Sequence, residues 1–224
     1  MGRLTPEALA RAYRDPVSWV ILAVDLFPLI AVFQLGWGAA ALVFLYGLEN
    51  LLLGLITLLH MAAASARHGL NALLGWAALG AFFTFHYGMF CFVHGVFLMA
   101  FSEISNGGGT VQFDPFDLVN YAFSTGTGMI WFVGAILTLQ VFLFVRDFLL
   151  RGEYRETNPI TEMARPYGRV VVLHFALFAG FALLVLFNEP LAGVLALILV
   201  RAAWGVLLSV RRQEEIAHLR ADQS

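Results

Sequence analysis

The sequence predicts an all-α protein: a polytopic bundle of six transmembrane helices in one integral-membrane domain over residues 1–224, with both termini on the inner side. Three observations predict it. First, 60% of the 224 residues are hydrophobic and only 12% are charged, with a mean hydropathy of +0.81, and soluble domains carry about twice that share of charge. Second, six apolar stretches reach the ~20 residues that a helix needs to cross the hydrocarbon core: residues 17–36, 39–62, 74–101, 121–146, 167–187 and 191–210. Third, all thirteen basic residues are arginines, and they fall before segment 1, between segments 2 and 3, between 4 and 5, within segment 6 and after it. Apart from Arg201 inside segment 6, every cluster lies on one side of the bilayer, and basic loops mark the cytoplasmic face.

The elements follow in order. Thr5-Pro6-Glu7 reads as a helix start, with Thr5 as N-cap and Pro6 at the first helical position, so residues 6–14 form a short juxtamembrane helix. Segment 1 is too long for the apolar region of a cleavable signal and has no small-x-small site after it. Pro28 lies one turn after Asp25 and is expected to kink that helix beside the carboxylate. The outward connection "SEISNGGGTVQFDPFD" is acidic and glycine-rich, a solvated connector or a lid over an external mouth. The hydroxylated, small patch "STGTG" at 124–128 and Gln140 lie in segment 4, where small residues favour close helix packing. Thr157 and Pro159 precede a short helix expected along the inner headgroups. Trp19, Trp37 and Trp76 fall near helix ends, where an aromatic belt belongs. His60 and His68 are placed at the inner interface and His218 in the tail.

Ionisable side chains at the bilayer centre cost ~2.5 to 3.5 kcal/mol each even on a lenient scale. Glu49 is about eleven residues into segment 2, ~16 Å deep at the helical rise. His86 lies at a similar depth in segment 3, and His174 is about seven residues into segment 5, ~11 Å deep. Asp25 and Arg201 lie near the middle of segments 1 and 6. Five helices therefore contribute an ionisable group to one layer, and lipid cannot solvate it. His94 is ~12 Å along the axis from His86, too far for one ion at metal–nitrogen distances of ~2.0–2.1 Å. His86 fits the core layer and His94 an outward station.

Two imidazoles and a carboxylate from three helices make a first coordination sphere for a divalent transition metal, zinc or iron before haem. The candidate ligands are His86, His174, Glu49 and His94, with Asp25, Tyr46, Asn50 and Arg201 as supporting or relay groups. Against a metal stands Arg201, whose guanidinium competes for the carboxylates. The same residues also suit a proton or cation path, because histidine titrates near neutral pH, or a purely structural cluster that fixes helix register.

"YGLENLLLG" at 46–54, "HYGMFCFVHG" at 86–95 and "YGRVVVLHF" at 167–175 resemble, in this order on six helices, a family of bacterial integral membrane proteins of unknown function. The resemblance covers most of the chain. It implies a bacterial inner-membrane location and makes Glu49, Asn50, His86, Gly88, His94, Gly95, Arg169 and His174 the residues typical of the family; it implies no activity.

Composition excludes some functions. A net charge of -2 gives no nucleic-acid footprint, and the single cysteine, Cys91, cannot form an intrachain disulfide or a thiolate cage. The expected partners are the lipid bilayer, a membrane-dissolved or ionic substrate and, for a conducting role, a second copy of the chain. The leading expectation is an intramembrane metal-binding protein, with a metalloenzyme acting on a lipid as its enzymatic form; the runner-up is a small proton or cation transporter.

Overall fold

The computed structural model describes residues 5–66, 68–105, 117–187, 198–199, 202–203 and 205–211. Among them regular structure is helical throughout: α1 (Pro6–Ala12), α2 (Pro16–Leu35), α3 (Ala39–Ala66), α4 (Leu70–Ser105), α5 (Asp117–Ser124), α6 (Met129–Leu143), a π-helical continuation (Phe144–Leu150), a 3-10 turn (Glu153–Arg155) and α7 (Pro159–Phe187). Residues 205–211 form a further helical segment. Four stretches, Pro16–Leu35, Ala40–Ala66, Asn71–Phe97 and Met129–Leu150, are long and apolar enough to cross a membrane, the architecture of a multi-pass membrane protein. The sixth expected span, 191–210, and the loop 106–116 fall largely outside the described residues.

The helix starts obey local chemistry. The Thr5 hydroxyl accepts from Ala8 N–H at 3.2 Å with Pro6 first in the helix, as expected. Asp15 caps α2 in the same way, accepting from Val17 N–H at 3.1 Å ahead of Pro16. α2 runs through Pro28 without interruption and ends at Gly36, whose φ of 67° suits the left-handed stop.

α3 is the central helix. In its most apolar window 61% of residues are buried, against 17–22% for the other three spans, so α3 is the most enclosed of the four. Lipid tails are as apolar as leucine, and apolar burial therefore drives little helix association; close packing and polar contacts do. Both occur between α3 and α4. The ring of Tyr87 lies over Gly54, 2.8 Å from where a Cβ would stand, and its hydroxyl donates to the Asn50 carbonyl at 3.1 Å. The main core joins α2, α3, α5 and α6 around Leu42, Leu45, Tyr46, Phe132 and Met129.

The structure revises three expectations. The segment expected at 121–146 is broken at Thr125–Gly128 into α5 and α6. Ser124 and Thr125 turn their hydroxyls back onto the carbonyls of Tyr121 and Ala122, both at 2.7 Å, which competes with continued helix. Gly128 then adopts a φ of 74°, a conformation costly for other residues. Trp37 fills the break: it is 4% exposed, its indole N–H donates to Thr127 O at 3.1 Å, and its ring lies 2.7 Å from a Cβ position at Gly126. Trp37 is thus a buried wedge and no part of an interfacial belt, whereas Trp19 is 57% exposed.

The short helix expected after Thr157 is instead the first turn of α7. Asn158 caps it, its side-chain oxygen accepting from Ile160 and Thr161 N–H at 3.1 and 2.9 Å, and the helix continues through Pro166 to Phe187. Finally, α4 is longer than the expected 74–101, running over 36 residues.

Candidate functional site

α4 and α7 run side by side in the same direction. His86 meets Tyr167, His94 meets His174 and Phe97 meets Phe178, and each contact joins residues 80 or 81 apart. This constant offset defines a parallel seam, and the seam carries the imidazoles.

His94 is 5% exposed and its Nδ1 has no hydrogen-bond partner among the described residues. Buried polar atoms are nearly always paired, so an orphaned ring nitrogen requires an explanation. The ring of His174 lies across that of His94, with centroids 5.0 Å apart and planes inclined at 66°. His174 Nδ1 is 2.7 Å from the carbonyl of Val170, one turn back on its own helix. A carbonyl only accepts, so Nδ1 is the donor, and in the neutral ring Nε2 keeps the lone pair. A backbone acceptor on one imidazole nitrogen is the usual device for fixing the other as a ligand.

His86 stands apart. It is exposed at the flank of α4, its Nδ1 2.7 Å from the Tyr167 hydroxyl. Phe90 lies between it and the buried pair, its centroid 5.1 Å from His86 and 6.3 Å from His174. The two α4 histidines do occupy separate stations, but His94 is the one joined to His174. The expectation placed His174 level with His86; the register of α7 against α4 sets it against His94 instead.

The other candidates lie on neighbouring helices. Tyr46, Glu49 and Asn50 of α3 are buried at 1%, 2% and 3% exposure, and Asn50 Oδ1 has no hydrogen-bond partner among the described residues. Asp25 of α2 is buried with its carboxylate against Gly205. Tyr13, at the end of α1, has its phenol pushed above the ordinary range, first by burial and then by the charge of Asp25. Arg201 lies outside the described residues. Among the described residues no three His, Cys, Asp or Glu side chains converge on one point that would hold a metal ion. Of the four candidate ligands, the structure brings together His94 and His174.

Sequence reasoning missed Tyr167 and a polar cluster around the connection between α6 and α7. There Asp147 is 3% exposed, with Arg151 at 3.0 Å and Arg146 at 3.9 Å; Arg146 also reaches the α2 cap, Asp15, at 3.3 Å. Glu162, 2% exposed, accepts from Thr157 at 2.6 Å and pairs with Arg165 at 3.1 Å. His60, expected at the interface, packs edge-on against Phe148 at 4.2 Å and reaches the carbonyl of Ile56 at 2.8 Å. The available signal was the concentration of acids among the arginines of 146–165.

No curated protein and no solved structure matches the chain. A family match extends over residues 7–222, nearly the whole chain, and includes every helix on which these side chains lie. The chain belongs to the Family of unknown function (DUF6498).

Proposed function

We propose that this is a multi-pass protein of the bacterial inner membrane, with six spans and both termini inside, that binds a divalent transition metal ion, zinc or iron, at the His94–His174 pair. The observation that carries the reading is the buried, unpartnered Nδ1 of His94 beside a His174 whose tautomer is fixed by Val170 O. Imidazole suits zinc and iron, and rings at this separation can share one ion at ~2.0–2.1 Å from each nitrogen. Two protein ligands leave coordination positions to water or to a ligand, the open arrangement that metal-assisted chemistry requires. Glu49 and Asn50, with Tyr46, supply polar groups on the helix next to α4.

The test is elemental analysis of the detergent-purified, full-length protein. Near-stoichiometric metal in the wild type, lost in both His94→Ala and His174→Ala and kept in His86→Ala, is the expected result. Wild-type protein without metal after gentle purification would sink the reading.

The hydrogen bond between His86 and Tyr167 favours a second reading, a proton path along the α4–α7 seam. Its weakness is Phe90, which separates that bond from the His94–His174 pair with a ring that cannot carry a proton. Proton flux into vesicles, abolished by Tyr167→Phe, would support the path over the metal.

A further inference from the structure

Among the described residues, Nδ1 of His94 on α4 and Oδ1 of Asn50 on α3 are both buried without a hydrogen-bond partner, in residues 5% and 3% exposed. Buried polar atoms are nearly always satisfied. An amide oxygen has no proton to give, so its partner must be a donor or a cation.

The helix register brings the two atoms to one place. Leu58 meets Gly80 and Gly54 meets Tyr87, so α3 and α4 run antiparallel, and the Tyr87 hydroxyl holds this part of α3 by donating to the Asn50 carbonyl at 3.1 Å. Met61 of α3 and Phe83 of α4 share a core cluster with Tyr167 and Val170 of α7. Asn50 lies eleven residues before Met61, and His94 eleven residues after Phe83. Eleven residues are three turns and about 20° of rotation, so each returns to the face that its helix buries in this cluster. Counted from the Gly54–Tyr87 contact, Asn50 is four residues and His94 seven residues in the same direction, ~6 and ~10 Å along the axis. Side chains lean toward the N-terminus of their own helix, and between antiparallel helices this lean narrows the gap from both sides. His174 already stands across from His94.

No third His, Cys, Asp or Glu side chain joins the two imidazoles among the described residues. An amide oxygen supplies the donor that these residue types do not. We propose that Asn50, through Oδ1, is the third protein ligand of an ion held by His94 and His174, so that α3, α4 and α7 each contribute one donor. This rests on the reading of the imidazole pair as a metal site and turns it from two ligands into three. Three protein ligands with one position left open is the layout of catalytic zinc sites.

Cobalt(II) titrated into the detergent-purified, full-length apo-protein tests it, because its visible bands report the coordination sphere as well as the affinity. Asn50→Ala should weaken cobalt binding by more than the ~10–100-fold that loss of a supporting group produces, and should shift the bands at saturation. Asn50→Asp keeps the shape and the oxygen and adds a charge; it should bind cobalt more tightly than wild type, again with shifted bands, and it decides the matter should Asn50→Ala not fold. His86→Ala, separated from the pair by Phe90, should leave affinity and bands unchanged. Cobalt bound by wild type and lost in His94→Ala and His174→Ala, with the bands of both Asn50 variants unchanged, overturns the Asn50 assignment alone. Wild type that binds no cobalt overturns the imidazole-pair reading and the third ligand with it.

Discussion

The carboxylate of Asp25, on α2, occupies the place where a Cβ at position 205 would stand. The helical segment 205–211 can lie against α2 at this depth because residue 205 has no side chain. Gly205→Ala should therefore destabilise the protein by about 1–3 kcal/mol through overpacking, read as a lower melting temperature in detergent. Gly134→Ala on α6, where nothing lies within 4 Å, is the control and should be neutral or stabilising by up to about 1 kcal/mol.

Trp37 and Gly126 form a second tight contact, and here two substitutions separate sterics from hydrogen bonding. Gly126→Ala should cost about 1–3 kcal/mol, because its methyl meets the indole ring. Trp37→Phe keeps most of the wedge and loses the bond to Thr127 O, an expected cost of about 0.5–1.5 kcal/mol. Equal losses in thermal melts would contradict this division.

At the connection between α6 and α7, Thr157→Val removes the donor to the buried Glu162 carboxylate while keeping shape. The expected loss is about 1–3 kcal/mol, and Thr157→Ser, which keeps the hydroxyl, should recover most of it. Arg165 is 45% exposed, so its ion pair alone compensates little. Comparable stability for the valine and serine variants would show that Thr157 contributes nothing through its hydroxyl.

Metal binding at His94–His174 should weaken on acidification, because imidazole ligands must be deprotonated. Removing one of two ligating imidazoles should exceed the ~10–100-fold loss that removal of a supporting group produces. Titration of apo-protein with zinc at neutral and at mildly acidic pH measures both; an affinity indifferent to pH and to His174→Ala counts against the pair.

The arginine distribution predicts the orientation. A reporter fused after Asn106 should behave as external and one after Glu153 as internal, checked by alkaline phosphatase and fluorescent-protein activities. The reverse pattern would invert the side from which the seam is read.

The elements governed by neighbouring residues were legible in the sequence: the Thr5 cap, the apolar runs, and the burial of Asp25 and Glu49; His86, expected in the same buried layer, is exposed on α4 instead, and the outward station His94 is the buried one. The features that depend on distant contacts were not. The break at Thr125–Gly128 is completed by Trp37, 90 residues away from Thr127, and its small polar residues alone read equally well as a packing patch. The partnership of His94 with His174 follows from the register of α4 against α7, which is set by contacts along the whole seam. Asn158 captures the first amides of α7 and starts it before Pro166, a residue that ordinarily argues for a boundary. Tyr167 was read as part of a motif, and its bond to His86 required the same register.

The π-helical turn at Phe144–Leu150, closed by Arg151 N–H onto Arg146 O at 3.2 Å, differs from an α-helix by a residue accommodated without lengthening the axis. It acts as a phase shifter: the chain enters with the lipid-facing rhythm of α6 and leaves turned so that Asp147 and Phe148 point inward, both buried. Deleting one residue from this stretch would restore an uninterrupted α-helix able to cross the bilayer, with the rhythm uncorrected and the acid facing hydrocarbon. Insertions and deletions here are thus rotations in disguise.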